Sequence, residues 1–165
     1  MSPDQKLVIV SFALMTMENI KKALSTALII LLVIMWVYSG ISKYQEFERF
    51  GIELNRSPYL HQMSKSISYL LPLGELVLAC LLIPARTRLV GLYLSLLLMV
   101  FFTAYIYAML NYSYYISCGC MGLFEKLSWE AHLSLNVIVC ILCILAILLH
   151  RSVLPSTTLH YEKAK

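Results

Sequence analysis

Cys118 and Cys120 stand one residue apart in Ser117-Cys118-Gly119-Cys120-Met121-Gly122, one of the few polar stretches of a very apolar chain. Two thiols at this spacing can close a disulfide through a very small ring. Ring strain makes such a bond more reducible than one that staples a fold. Gly119 is the residue best able to take the unusual backbone angles that closure needs, and Gly122 is a second permissive joint. The pair thus has the makings of an exchange site, where the thiolate of one protein attacks the disulfide of another. The alternative is two small residues buried in a turn. The polar neighbours Asn111, Ser113, Ser117, Glu125 and Lys126 favour an accessible loop.

Further residues could support that chemistry. His132 follows the loop closely, and a protonated imidazole near a thiol lowers its pKa and raises the thiolate fraction; the bland reading is an interfacial histidine facing lipid head groups. Glu75 falls near the middle of an apolar stretch, where a carboxylate costs about 2.5–3.5 kcal/mol on insertion scales, so such residues are usually paired, protonated or functional. Lys43 is the natural cation to pair with it, although the two are not obviously level. The open readings for Glu75 are this ion pair, a proton-handling or quinone-facing role, and a protonated, locally hydrogen-bonded acid. Pro72 and Gly74 just before it loosen the backbone and make room for a ligand.

Cys140 and Cys143 spell Cys-X-X-Cys, a redox motif elsewhere. However, Cys140 is 11 residues past Trp129, which at about 1.5 Å per residue is about 16 Å down a helix. A thiolate is disfavoured in apolar surroundings, so these two are expected to be small core residues, and Cys80 to be packing as well. The cysteines lack the spacing and histidine partners of a zinc site, so no metal is expected.

The elements that must position these residues are membrane helices. The 165 residues are 60% hydrophobic and 13% charged, with a mean hydropathy of +0.77, against about 45–50% and about 25% for ordinary soluble domains. A net charge of +4, scattered along the chain, gives no argument for nucleic acid. Four stretches approach the about 20 residues that cross a bilayer: Ala23 to Ser42, Ile67 to Pro84 (interrupted by Pro72, Gly74 and Glu75), Leu89 to Leu110, and Trp129 to His150. Residues 1–22 form an N-terminal cytoplasmic or interfacial segment, 23–150 the membrane domain, and 151–165 a cytoplasmic tail. Within the first of these, residues 1–16 are too short an apolar run to span, and read as an interfacial lead-in or an over-extended start.

Orientation follows from the basic residues. With both termini inside, the inner pieces carry Lys6, Lys21, Lys22, Arg86, Arg88, Arg151, Lys163 and Lys165, and the outer pieces only Lys43, Arg49, Arg56, Lys65 and Lys126. Cys118 and Cys120 then lie outside. Tyr44, Phe47, Phe50 and Leu54 share one helical face, which predicts an amphipathic interfacial helix between the first two spans, broken at Ser57-Pro58. The expected fold is an all-α, four-transmembrane-helix bundle. Tyr105, Tyr107, Tyr112, Tyr114, Tyr115 and Trp129 are expected to form an aromatic belt at head-group level.

An ordered set of motifs gives this chain a resemblance. Ser39-Gly40-Ile41-Ser42-Lys43 closes the first helix, followed by the Phe47/Phe50 segment. Pro72-Leu73-Gly74-Glu75 lies in the second, and a basic turn precedes the third. Cys118-Gly119-Cys120-Met121-Gly122 comes last, with Met121 where Phe is usual. Over about residues 25 to 150 the chain resembles the MauE branch of the DoxX-like membrane proteins. These four-helix proteins are associated with periplasmic disulfide chemistry, including maturation of the disulfide-rich small subunit of methylamine dehydrogenase. The resemblance implies a redox role with a thioredoxin-like partner, which must be a separate chain.

The expected function is therefore an inner-membrane thiol–disulfide redox protein. Its Cys118/Cys120 pair would exchange electrons on the periplasmic side with that partner, in support of disulfide formation or maturation of exported proteins. A quinone bound near Glu75 is the expected cofactor if electrons leave by oxidation. The rival expectation is a non-catalytic membrane anchor or assembly subunit for a partner enzyme.

Overall fold

A computed structural model describes residues 3–57, 60–112 and 128–162. The elements are α1 (Pro3–Gln45), α2 (Phe47–Arg56), a single 3-10 turn (His61–Met63), α3 (Ser64–Leu82), α4 (Arg88–Tyr112) and α5 (Trp129–Glu162). Helix is the form that satisfies every backbone N–H and C=O within one segment, as a bilayer interior without water demands. Four segments are long and apolar enough to cross a membrane: Leu14–Gln45, His61–Leu82, Arg88–Tyr112 and Glu130–Ser152. The chain is an all-helical, multi-pass membrane protein.

Each spanning helix buries one stripe at spacings of three and four. On α1 the stripe is Ser25, Ile29, Leu32, Trp36, Gly40 and Lys43; on α3 it is Ser68, Pro72, Glu75, Ala79 and Leu82. On α4 Leu92, Ser95, Met99, Ile106 and Met109 face inward, and on α5 His132, Asn136, Cys143, Ala146, Ile147 and His150 do so. The opposite faces, with Ile30, Ile34, Leu73, Val77, Leu97, Ile141 and Leu148, stay exposed for lipid. Around the bundle, α1 neighbours α3 and α5, and α4 neighbours the same two helices, so α1 and α4 are diagonal. The indole N–H of Trp36 donates across that diagonal to Ser95 Oγ at 3.0 Å.

At one end a tight basic turn joins α3 to α4. Arg88 donates to the carbonyls of Leu82 and Ile83 at 3.2 and 2.9 Å, and the Thr87 hydroxyl to that of Leu81 at 2.8 Å. These side chains occupy carbonyls that the end of α3 leaves without a helical partner. At the other end, α2 leaves α1 after Glu46 and lies against α3, burying Phe50 and Leu54 and exposing Glu48 and Arg49. Residues 113–127 connect α4 to α5 at this same end. Ser128 caps α5, its Oγ accepting from the Ala131 N–H at 3.3 Å.

Several expectations change. α1 is one continuous helix from Pro3, so helix precedes the first apolar stretch, and α5 stays helical past His150 to Glu162. Pro72 and Gly74 do not interrupt α3, which runs unbroken through both; the proline's lost N–H costs one rung, not the helix. Tyr44 does not share the buried face of Phe50 and Leu54. It belongs to the last turn of α1, which turns Lys43 inward, and is 75% exposed.

Candidate functional site

The buried charge sits beside a close approach of α1 to α3. Gly40 makes that approach possible: a Cβ there would meet the Pro72 carbonyl oxygen at 3.1 Å and Leu76 Cγ at 3.0 Å. The two helices run antiparallel, and Cα–Cβ bonds tilt toward a helix's own N-terminus. Lys43, near the end of α1, therefore leans down into the bundle, while Glu75, well inside α3, leans up toward it. Two residues that are not level along the sequence meet for this reason.

The contact is a complete ion pair. The Lys43 ammonium donates to Glu75 Oε1 at 2.9 Å and Oε2 at 3.1 Å, and to Ser39 Oγ at 2.6 Å. Ser39 lies one turn before Lys43 on the same helix. The Glu75 side chain is fully buried and the Lys43 side chain 5% exposed. Of the readings open for Glu75, the structure realises the pair with Lys43.

Above the pair, Tyr105 of α4 donates its hydroxyl to Ser57 Oγ at 2.9 Å, and Ser57 is fully buried. This bond ties the end of α2 to α4. Tyr105 is thus turned into the protein rather than standing in an aromatic belt, whereas Tyr107 and Tyr112 are exposed as a belt requires. Beneath α2 lies a cavity of about 340 Å³, bounded by Phe50, Leu54, Phe102, Tyr105 and the stem of Lys43.

His132 lies on the inward face of α5 and is 8% exposed, so it faces the bundle and not the head groups. One turn further in, Asn136 is buried as well, and its side-chain N–H₂ has no hydrogen-bond partner among the described residues. Cys140 Sγ is 3.7 Å from Thr103 Oγ1, and Cys143 is fully buried in the core. Both are small residues within the bundle, as expected. Cys80 is not packing: it is exposed on the outer face of α3. Cys118, Gly119, Cys120 and Gly122 lie outside the described residues. Among the described residues, no cluster of His, Cys, Asp or Glu could hold a metal ion.

Sequence reasoning missed Ser39, Ser57, Tyr105 and Asn136. A signal existed for Ser39, four residues before Lys43 and hence on the same helical face. None existed for Ser57 and Tyr105, which meet only because α2 folds back over the bundle.

Polar groups are thus unevenly distributed inside the molecule. Lys43, Glu75, Ser57, Tyr105, His132 and Asn136 occupy the half near α2, and the interior of the other half is built largely of Ile29, Leu32, Leu78, Leu82, Leu92 and Ile147. Comparison with curated proteins and with solved structures finds no match. The profile of the family described as "Methylamine utilisation protein MauE" does match, over residues 21–149. That range takes in Lys43, Glu75, the Cys118/Cys120 pair and His132 together, and on this match the chain belongs to the MauE family of membrane proteins.

Proposed function

We propose that this protein is an inner-membrane thiol–disulfide redox protein, with both termini in the cytoplasm and the Cys118/Cys120 pair on the periplasmic side. A thiolate of the pair attacks, or is attacked by, the disulfide of a separate thioredoxin-like protein, and a mixed disulfide links the two chains in transit. The observation that carries this reading is one-sidedness. The segment that bears both thiols joins α4 to α5 at the end of the bundle that gathers Lys43, Glu75 and His132. The oxidising periplasm and the basic α3–α4 turn at the opposite end support the orientation.

The test is to substitute Cys118→Ser and Cys120→Ser singly in cells and to quench thiols with acid. One of the two variants should accumulate a mixed disulfide with a thioredoxin-like protein, seen on non-reducing gels and identified by mass spectrometry. If neither does so, the exchange reading fails.

A second reading is an assembly subunit that anchors a partner enzyme. It is favoured by a surface groove between α2 and α3, of about 470 Å³, lined by Phe47, Glu48, Asn55, Lys65 and Tyr69. Its mixture of rings and opposite charges suits a protein surface. On this reading the variants bind the partner without any covalent adduct.

A further inference from the structure

We propose that the groove between α3 and α4 holds one acyl chain of a membrane phospholipid, whose methyl end enters the cavity beneath α2. The groove has a volume of about 490 Å³, and its lining along α3 runs from Ile67 to Leu81. At about 1.5 Å per residue that is a rise of about 21 Å, more than half of the about 30 Å hydrocarbon core. Ile67, Leu71 and Phe101 line both the groove and the cavity of about 340 Å³, so the two spaces adjoin. Phe101, 63% exposed, stands at their junction.

Gly74 forms part of the groove's floor. A Cβ there would meet no atom within 4 Å, so no contact within the chain requires a glycine, unlike Gly40 against the Pro72 carbonyl. Glycine is a poor helix former, yet at this place it leaves a shallow track in which a chain can lie close to the backbone of α3. The cavity at the end of the track is carbon-walled. Among the described residues it presents no polar surface. The three N–H groups of the Lys43 ammonium are taken by Ser39 and both Glu75 oxygens, and the Tyr105 hydroxyl by Ser57. A buried water needs polar partners, and none is offered.

Left unfilled, the cavity would forfeit packing along its walls, at a cost that grows with its volume. Apolar voids of this kind stay dry and take up small apolar molecules. A helix of another chain, about 10 Å across, can lie on the groove but is too thick for the cavity. A hydrocarbon chain is one methylene wide and meets carbon along both stretches. The ester and head group of the same lipid are polar and stay outside, which puts the methyl end innermost. Phe50 and Leu54, which line the cavity from α2, then rest on lipid as well as on protein. The site is independent of the exchange chemistry proposed for Cys118 and Cys120.

Photolabelling of the full-length protein tests the path, in vesicles of phosphatidylethanolamine and phosphatidylglycerol doped with a phosphatidylcholine that bears a diazirine at the methyl end of one chain. After illumination and digestion, peptides containing Phe50, Leu54 and Phe102 should carry the label. A probe with its diazirine beside the ester should leave them unlabelled. Gly74→Leu lays a branched side chain across the track, where its Cβ meets no atom of this chain. It should cut the cavity label at least fivefold and leave unchanged the label at Ile34, which is exposed on α1. Leu97→Trp narrows the groove from α4 and should do the same, which keeps the test valid if Gly74→Leu does not fold. An unlabelled cavity beside a labelled Ile34, equal labelling by both probes, or undiminished label in both variants would overturn the proposal and leave ordinary bilayer contact only. A dimer in native mass spectrometry that Gly74→Leu dissociates would overturn it too, and would assign the groove to a second copy of this chain.

Discussion

At the scale of single residues, Lys43 and Glu75 form a buried ion pair between α1 and α3. Each charge is held by the other, and removing one strands its partner away from water. Breaking a buried pair in this way destabilises by about 3–5 kcal/mol, whereas replacing both members with uncharged residues is often neutral. Glu75→Gln alone should therefore lower thermal stability in detergent markedly, and Lys43→Met in the same chain should restore most of it. If Glu75→Gln unfolds at the wild-type temperature, the pair does not stabilise the fold. If the double variant is stable yet no longer supports disulfide formation in cells, the charge serves chemistry beyond holding the helices together. Ser39 contributes a third hydrogen bond to the ammonium, so Ser39→Ala should cost less, about 1–3 kcal/mol for one charge-assisted bond.

At the scale of elements, the seam between α1 and α3 depends on Gly40. A methyl group there would press on the Pro72 carbonyl at 3.1 Å, and backbone yields less readily than a side chain. Gly40→Val should push the helices apart, cost about 1–3 kcal/mol as other overpacked sites do, and slacken the Lys43–Glu75 contact. A Gly40→Val chain with unchanged thermal stability would show that the approach is not tight. Much at this scale was legible in the chain: long apolar runs announce spanning helices, and the 3-and-4 spacing of Phe47, Phe50 and Leu54 announces α2. The breaks were less legible. Pro72 and Gly74 read as an interruption because their local preference is against helix, but a membrane leaves the backbone no better alternative. Tyr44 read as part of α2 because spacing alone does not reveal that α1 ends between them. The Lys43–Glu75 pair was legible in the residue types, Lys43 being the natural cation for Glu75, but its geometry was not, since it depends on the antiparallel lean of two side chains.

At the scale of the whole molecule, the fold sorts its cysteines by surroundings. Cys80 faces outward from α3, while Cys140 and Cys143 are held within the bundle. In intact spheroplasts, a membrane-impermeant maleimide should label Cys118 or Cys120 after reduction and leave Cys80 untouched, while a lipid-permeant one should reach Cys80 too. Labelling of the loop pair only from the cytoplasmic side would reverse the orientation and remove the proposed partner from reach. The hydrocarbon packing of the half away from α2 has an electrical consequence. Moving one charge through the full membrane potential involves about 2.3 kcal/mol per 100 mV. Ile29, Leu32, Leu78, Leu82, Leu92 and Ile147 form an insulating plug across that half. A charge exchanged with Lys43 or Glu75 would therefore pass by the leaflet nearest α2 and cross little of that voltage.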